Sequence, residues 1–115
     1  MTANKLRDLI VAALDEGKGQ DIQALDVSKL TSITDHMVMV SGTSNRHVKS
    51  LVDHALEAAK QAGEPARGVE GRENYEWVLA DFGDVLLHVM QKEAREFYEL
   101  ERLWTEIPAD SESTL

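Results

Sequence analysis

Cysteine is absent from the 115 residues. Disulfides, thiolate metal sites and a cysteine nucleophile are therefore excluded, and a reducing compartment is permitted. There are two prolines, Pro65 and Pro108, and both fall outside the segments that read as helices or strands. No apolar run approaches the roughly 20 residues of a membrane span. Nothing resembles a signal peptide, and the opening MTANKLRDL lacks the Arg/Ser bias of a transit peptide. A cytoplasmic protein is expected. Positive charge is also scarce: 12 Lys and Arg stand against 21 Asp and Glu, a net charge of −9. Such a chain is repelled by phosphate backbones, which disfavours direct nucleic-acid binding. The same field steers the chain toward basic partners, of which ribosomal proteins are an extreme, although net charge also serves simply to keep a protein dissolved.

Several catalytic patterns are missing too. Gly42-Thr43-Ser44 places hydroxyls and backbone amides at a helix start, but no Lys follows at P-loop spacing and there is no G-x-G-x-x-G. A two-metal phosphoryl site needs an Asp-x-Asp or Asp-x-Glu strand, and none follows Gly42. Asp81 and Asp84 are separated by a turn, an awkward geometry for a shared metal. The histidines are His36, His47, His54 and His88; His47 and His54 are seven apart on one helix, too far to share a metal, and no His-x-x-x-His occurs. No nucleophile elbow occurs. The expectation is a protein without catalytic residues, cofactor or metal.

What is present is globular. At 43% hydrophobic and 29% charged residues, the chain suits one domain with a real core. Residues Ala3 to Glu16 carry Leu6, Leu9, Ile10, Ala13 and Leu14 on one helical stripe, with Thr2 as cap and Gly17 as stop. DIQALDV, Asp21 to Val27, and HMVMV, His36 to Val40, read as strands that pair antiparallel across SKLTSITD. Ser44 or Thr43 caps the longest helix, whose stripe runs Val48, Leu51, Val52, Ala55, Leu56, Ala59 and which Gly63 and Pro65 terminate. Arg67 to Glu70 reads as a short strand. A final helix is predicted over Glu93 to Trp104, burying Phe97, Leu100, Leu103 and Trp104, and Thr105 to Leu115 reads as an acidic tail.

The chain is organised around YEWVLADFGDVLLHVM, Tyr75 to Met90. Two apolar runs flank Asp81-Phe82-Gly83-Asp84, and Gly83 supplies the positive φ a reversal needs, so the segment reads as an antiparallel hairpin. Alternation puts Val78, Ala80, Val85, Leu87 and Val89 on the core face. It puts Trp77, Leu79, Asp81, His88 and Met90 on the other. With helices chiefly on one side of a mixed sheet of about five strands, that second face is expected to stay uncovered. An uncovered apolar face with an indole is a protein-docking surface. Trp77, Leu79, His88 and Met90 form its predicted centre, and Asp81, Asp84, Tyr98 and Glu99 its rim, placed to pair with Lys or Arg.

DVSKLTSITDHMVMVSGTSNRHVKSLVDH, EWVLADFGDVLLHVM and REFYELERLW resemble the ribosomal silencing factor (Iojap-like) family, and the resemblance spans Leu6 to Trp104. SGTSNR at Ser41 to Arg46 and REFYELERLW at Arg95 to Trp104 are its most specific motifs. Ala80 and Phe82 stand where relatives have Leu and Tyr, and Val89-Met90 where relatives often have an aromatic. The resemblance implies a domain over 1–104 with an α/β, nucleotidyltransferase-like topology that lacks the catalytic carboxylates. It also implies a homodimer that binds the large ribosomal subunit through ribosomal protein uL14, protein fourteen of that subunit. The bound factor would block association with the small subunit and repress translation in starvation. Two other readings stay open: a nucleotide-binding or nucleotidyltransferase-like enzyme, separable by calorimetry with magnesium and nucleoside triphosphates, and a dimeric scaffold whose sheet face pairs with itself.

Overall fold

A hydroxyl opens the first helix. The Thr2 side chain accepts from the Lys5 amide at 3.2 Å, and α1 runs Ala3–Glu16 to its cap at Gly17, the bounds the sequence predicts. The structure, a computed structural model, describes residues 1–98, with 96–98 by backbone alone. The Phe97 side chain, Leu100, Leu103, Trp104 and the tail 105–115, all part of the predicted C-terminal region, lie outside the described residues.

After α1 come β1 (Gln20–Asp26), β2 (His36–Gly42), α2 (Asn45–Gln61), β3 (Gly68–Glu70), β4 (Trp77–Asp81), β5 (Val85–Gln91) and α3 (Lys92–Tyr98). The strands form one mixed five-stranded sheet in the order β1-β2-β5-β4-β3. β2 and β5 are parallel, and every other pair is antiparallel. The parallel pair needs a crossover, which the chain provides through α2, β3 and β4. Ser44 caps α2 by accepting from the His47 amide at 3.1 Å. Gly83 turns the β4–β5 hairpin at φ +86°.

α1 and α2 cover one face. Leu6, Ile10 and Leu14 meet Val48, Leu51 and Val52, and both sets pack on Val38, Val40, Val78, Ala80, Leu87 and Val89. Each such side chain taken from water contributes about 1.5–3 kcal/mol. All seven residues of β2 are buried, which explains why HMVMV is apolar without alternation: both its faces are covered.

That second cover departs from the sequence reading. α3 begins at the residue after β5 ends and lies on the opposite face from α1 and α2. There Ala94 packs with Val27, Met37, Met39 and Met90, and Leu25, Leu30 and Trp77 border the cluster. The outer face is therefore roofed at one end by α3 and at another by the β1–β2 connection. Met90, predicted at the centre of an exposed docking surface, is 0% exposed. Alternation assigns it to the correct face, but the chain doubles back immediately and covers it.

Arg95 fixes this roof. Its guanidinium donates to the Asp21 carbonyl at 2.6 Å and to the Ser41 hydroxyl at 3.0 Å. The Asp21 carbonyl is available because the β1–β2 register breaks between Gln20 and Gln23, where Asp21 takes φ +50°.

Candidate protein-docking face

Cross-strand register builds the outer face in rows. Met37 lies beside Leu86 and Leu86 beside Asp81. Met39 lies beside His88, His88 beside Leu79, and Leu79 beside Glu70. Ser41 lies beside Met90 and Met90 beside Trp77. The methionines of each row are buried under α3 or the β1–β2 connection. At the other end no described element lies over the sheet: Trp77, Leu79, Asp81, Leu86 and His88 are half-buried, and Glu70 is exposed. Five of the eight predicted site residues, Trp77, Leu79, Asp81, His88 and Met90, thus share one sheet face, with Met90 as its floor. Asp84 is exposed in the hairpin turn. The Tyr98 side chain and all of Glu99 lie outside the described residues.

Glu70, Gly71, Trp77, Leu79 and His88 line a shallow depression of about 320 Å³. Glu70 and Gly71 are not among the predicted site residues. They reach the site only through the pairing of β3 with β4, which local alternation does not reveal. Gly71 is required there: with φ +94°, a Cβ would lie 2.1 Å from the Trp77 carbonyl oxygen.

Three side chains on this face are held in place. The Trp77 Nε1–H donates to His88 Nδ1 at 3.0 Å, with ring centroids 5.9 Å apart and planes tilted by 43°. Burial pushes the His88 pKa down to about 4, so the ring is neutral at physiological pH. Asp81 Oδ1 accepts from the Gly83 amide at 2.8 Å, so one carboxylate oxygen stabilises the turn while the half-buried side chain edges the face.

The SGTSNR segment plays a different part. Ser41 binds Arg95, and Gly42 sits where a Cβ would meet Val48 Cγ2 at 2.9 Å and the Val48 amide nitrogen at 3.1 Å. Ser44 caps α2, and the Asn45 side chain donates to the Asn74 carbonyl at 2.9 Å while its Oδ1 accepts from the Gln91 side-chain Nε2. His47 accepts from the Thr43 amide at 2.9 Å and contacts the Gly17 carbonyl at 3.0 Å. The motif thus joins β2, α2, the end of α1 and the loop before β4. His36 is buried with Nε2 against Asn4 Oδ1 at 2.9 Å. Among the described residues no three His, Asp or Glu side chains converge as a metal site, and no helix is long and apolar enough to cross a membrane.

A family model described as ribosomal silencing factor during starvation matches residues 1–114. The chain belongs to the ribosomal silencing factor family. A ribosomal silencing factor of Chromobacterium violaceum is 44% identical over 104 residues, covering 90% of this chain and 85% of that one. A crystal structure of a protein from the same organism superposes with a TM-score of 0.90 at 42% identity, covering 94% of this chain and 90% of that one. The mouse protein named mitochondrial assembly of ribosomal large subunit protein 1 is 36% identical over 101 residues, covering 85% of this chain and 44% of its own length. The family and the mixed five-stranded α/β architecture agree with the sequence reading.

Proposed function

We propose that this ribosomal silencing factor binds the large ribosomal subunit through ribosomal protein uL14 and sterically prevents the small subunit from joining, repressing translation under starvation. It acts in the cytoplasm by occupying a surface, without turning over a substrate. The observation that carries the reading is the open end of the outer sheet face. Trp77, Leu79 and His88 form a half-buried centre, Glu70 and Asp81 put acid on the same face, Asp84 is exposed in the adjoining hairpin turn, and the chain has a net charge of −9. That arrangement complements a basic protein surface. The family's description and the mouse relative's name, which specifies the ribosomal large subunit, support the same partner. Tyr98 and Glu99 extend the acidic and aromatic rim in this proposal, and the factor is a homodimer in its unbound state. Met90 supports the face from below.

The test is reassociation of purified ribosomal subunits with and without added protein, together with co-sedimentation on large subunits. The factor is expected to keep subunits apart and to sediment with the large one. Trp77→Ala is expected to weaken that binding by about 2 kcal/mol or more, as truncation of a desolvated aromatic anchor does. Normal subunit joining at saturating factor would overturn the proposal.

A further inference from the structure

The Trp77–His88 pair determines more than packing. An indole N–H can only donate, so the His88 Nδ1 that receives it must present a lone pair. A neutral imidazole with an unprotonated Nδ1 carries its proton on Nε2. Trp77 thereby selects one of the two ring tautomers. The remaining polar group of the ring is a donor, Nε2–H, which has no hydrogen-bond partner among the described residues. It is not sealed away either: His88 lines the depression with Glu70, Gly71, Trp77 and Leu79, and the buried unpartnered polar atom among the described residues belongs to His36.

We infer that His88 is a specificity-determining donor of the docking face, held in its Nε2–H form by Trp77, and that it pairs with an uncharged acceptor on the partner protein, a main-chain carbonyl. Charge selects the kind of acceptor. Glu70 borders the depression, Asp81 lies on the same face, and the whole chain is acidic. A carboxylate or phosphate would be repelled there, whereas a carbonyl oxygen can approach. Leu79 and the Trp77 ring supply apolar walls around that contact, and a hydrogen bond shielded from water discriminates strongly against a partner that lacks the acceptor. Trp77 is thus both a contact and a positioning residue. This inference rests on the docking reading above and adds the chemistry of one contact to it.

Nitrogen-15 NMR of the His88 ring in the free wild-type protein provides a direct test that needs no variant. The expected spectrum near neutral pH has Nε2 protonated and Nδ1 unprotonated. A ring protonated at Nδ1, or an even mixture of tautomers, overturns the lock. Trp77→Phe keeps an aromatic ring but removes the N–H, and it is expected to yield a mixture of tautomers. A single Nε2–H form persisting in that variant also overturns it. Binding to purified large subunits tests the donor. His88→Phe keeps a flat ring without Nε2–H and is expected to weaken binding about three- to tenfold, the effect of one neutral hydrogen bond. If wild type binds and a folded His88→Phe binds equally well, the donor role fails while the docking face stands. If wild type itself does not bind, the docking reading fails, and the tautomer measurement still reports on the lock.

Discussion

Arg95 on α3 and Ser41 on β2 are 54 positions apart in sequence, yet the guanidinium donates to the hydroxyl at 3.0 Å. Arg95 is only 5% exposed, and its second bond goes to a main-chain carbonyl at the irregular start of β1. A buried cation is tolerated only with such partners. Arg95→Met keeps much of the volume and removes the donors. It is expected to lower unfolding free energy in urea by about 2–3 kcal/mol, within the range of hydrogen bonds to charged groups. An unchanged midpoint would show that the guanidinium does not hold the roof.

Two glycines should respond in opposite ways. Gly42→Ala forces a methyl against Val48 Cγ2 and the Val48 backbone, where the helix cannot retreat without losing its cap. A destabilisation of about 1–3 kcal/mol is expected from overpacking. A Cβ at Gly68 meets nothing within 4 Å. Gly68→Ala is therefore expected to leave stability unchanged or slightly raised. Thermal melts of the two variants side by side check both statements.

Ser44→Ala removes the side-chain acceptor for the His47 amide. The expected cost is about 1 kcal/mol, read by urea unfolding, because α2 keeps its apolar stripe and loses only the cap. Ser44→Asp should restore the cap and recover most of that loss.

His88 gives stability a definite pH dependence. Burial lowers its pKa from 6.5 to about 4 in the folded protein, while the unfolded chain takes up its proton near 6.5. Between those values the unfolded state binds more protons, so stability rises with pH. The contribution is complete above the unfolded value and is lost as pH falls from about 6.5 toward 4, amounting to about 3 kcal/mol if the whole shift is expressed. His88→Asn keeps a polar acceptor without the titration. Urea unfolding across that window should show a shallower slope in the variant, and identical slopes would exclude His88 as the source.

Asp84 is exposed in the hairpin turn and is assigned to the rim in the proposed contact. Asp84→Asn should slow association with large subunits and reduce its salt dependence, with little change in dissociation. Binding kinetics at two ionic strengths separate these effects.

Local signals explain what was readable in the residues. Thr2 and Gly17 bounded α1 correctly because a cap and a stop act within one turn. The hairpin and its two faces followed from alternation and from Gly83, and the antiparallel β1–β2 pair from a short connection. The misplaced residue was Met90. Its face was right, but its burial depends on where α3 lies, and no spacing within Tyr75 to Met90 encodes that. Glu70 and Gly71 were missed for a similar reason, since they enter the site through a three-residue strand at the far edge of the sheet. Arg95 enters the sequence reading only as the first residue of REFYELERLW. Its burial reflects the break in β1 that exposes the Asp21 carbonyl, a backbone event that side-chain patterns leave unmarked.

No residue separates the last position of β5, Gln91, from the first of α3, Lys92. The helix therefore leaves the sheet without a linker, and Ala94 packs on the cluster of Met39 and Met90 that Trp77 borders. Among the described residues the flank formed by β3 and β4 is the side of this face left without a roof, so the proposed docking would inherit a direction of arrival, as well as a footprint, from the molecule's own architecture.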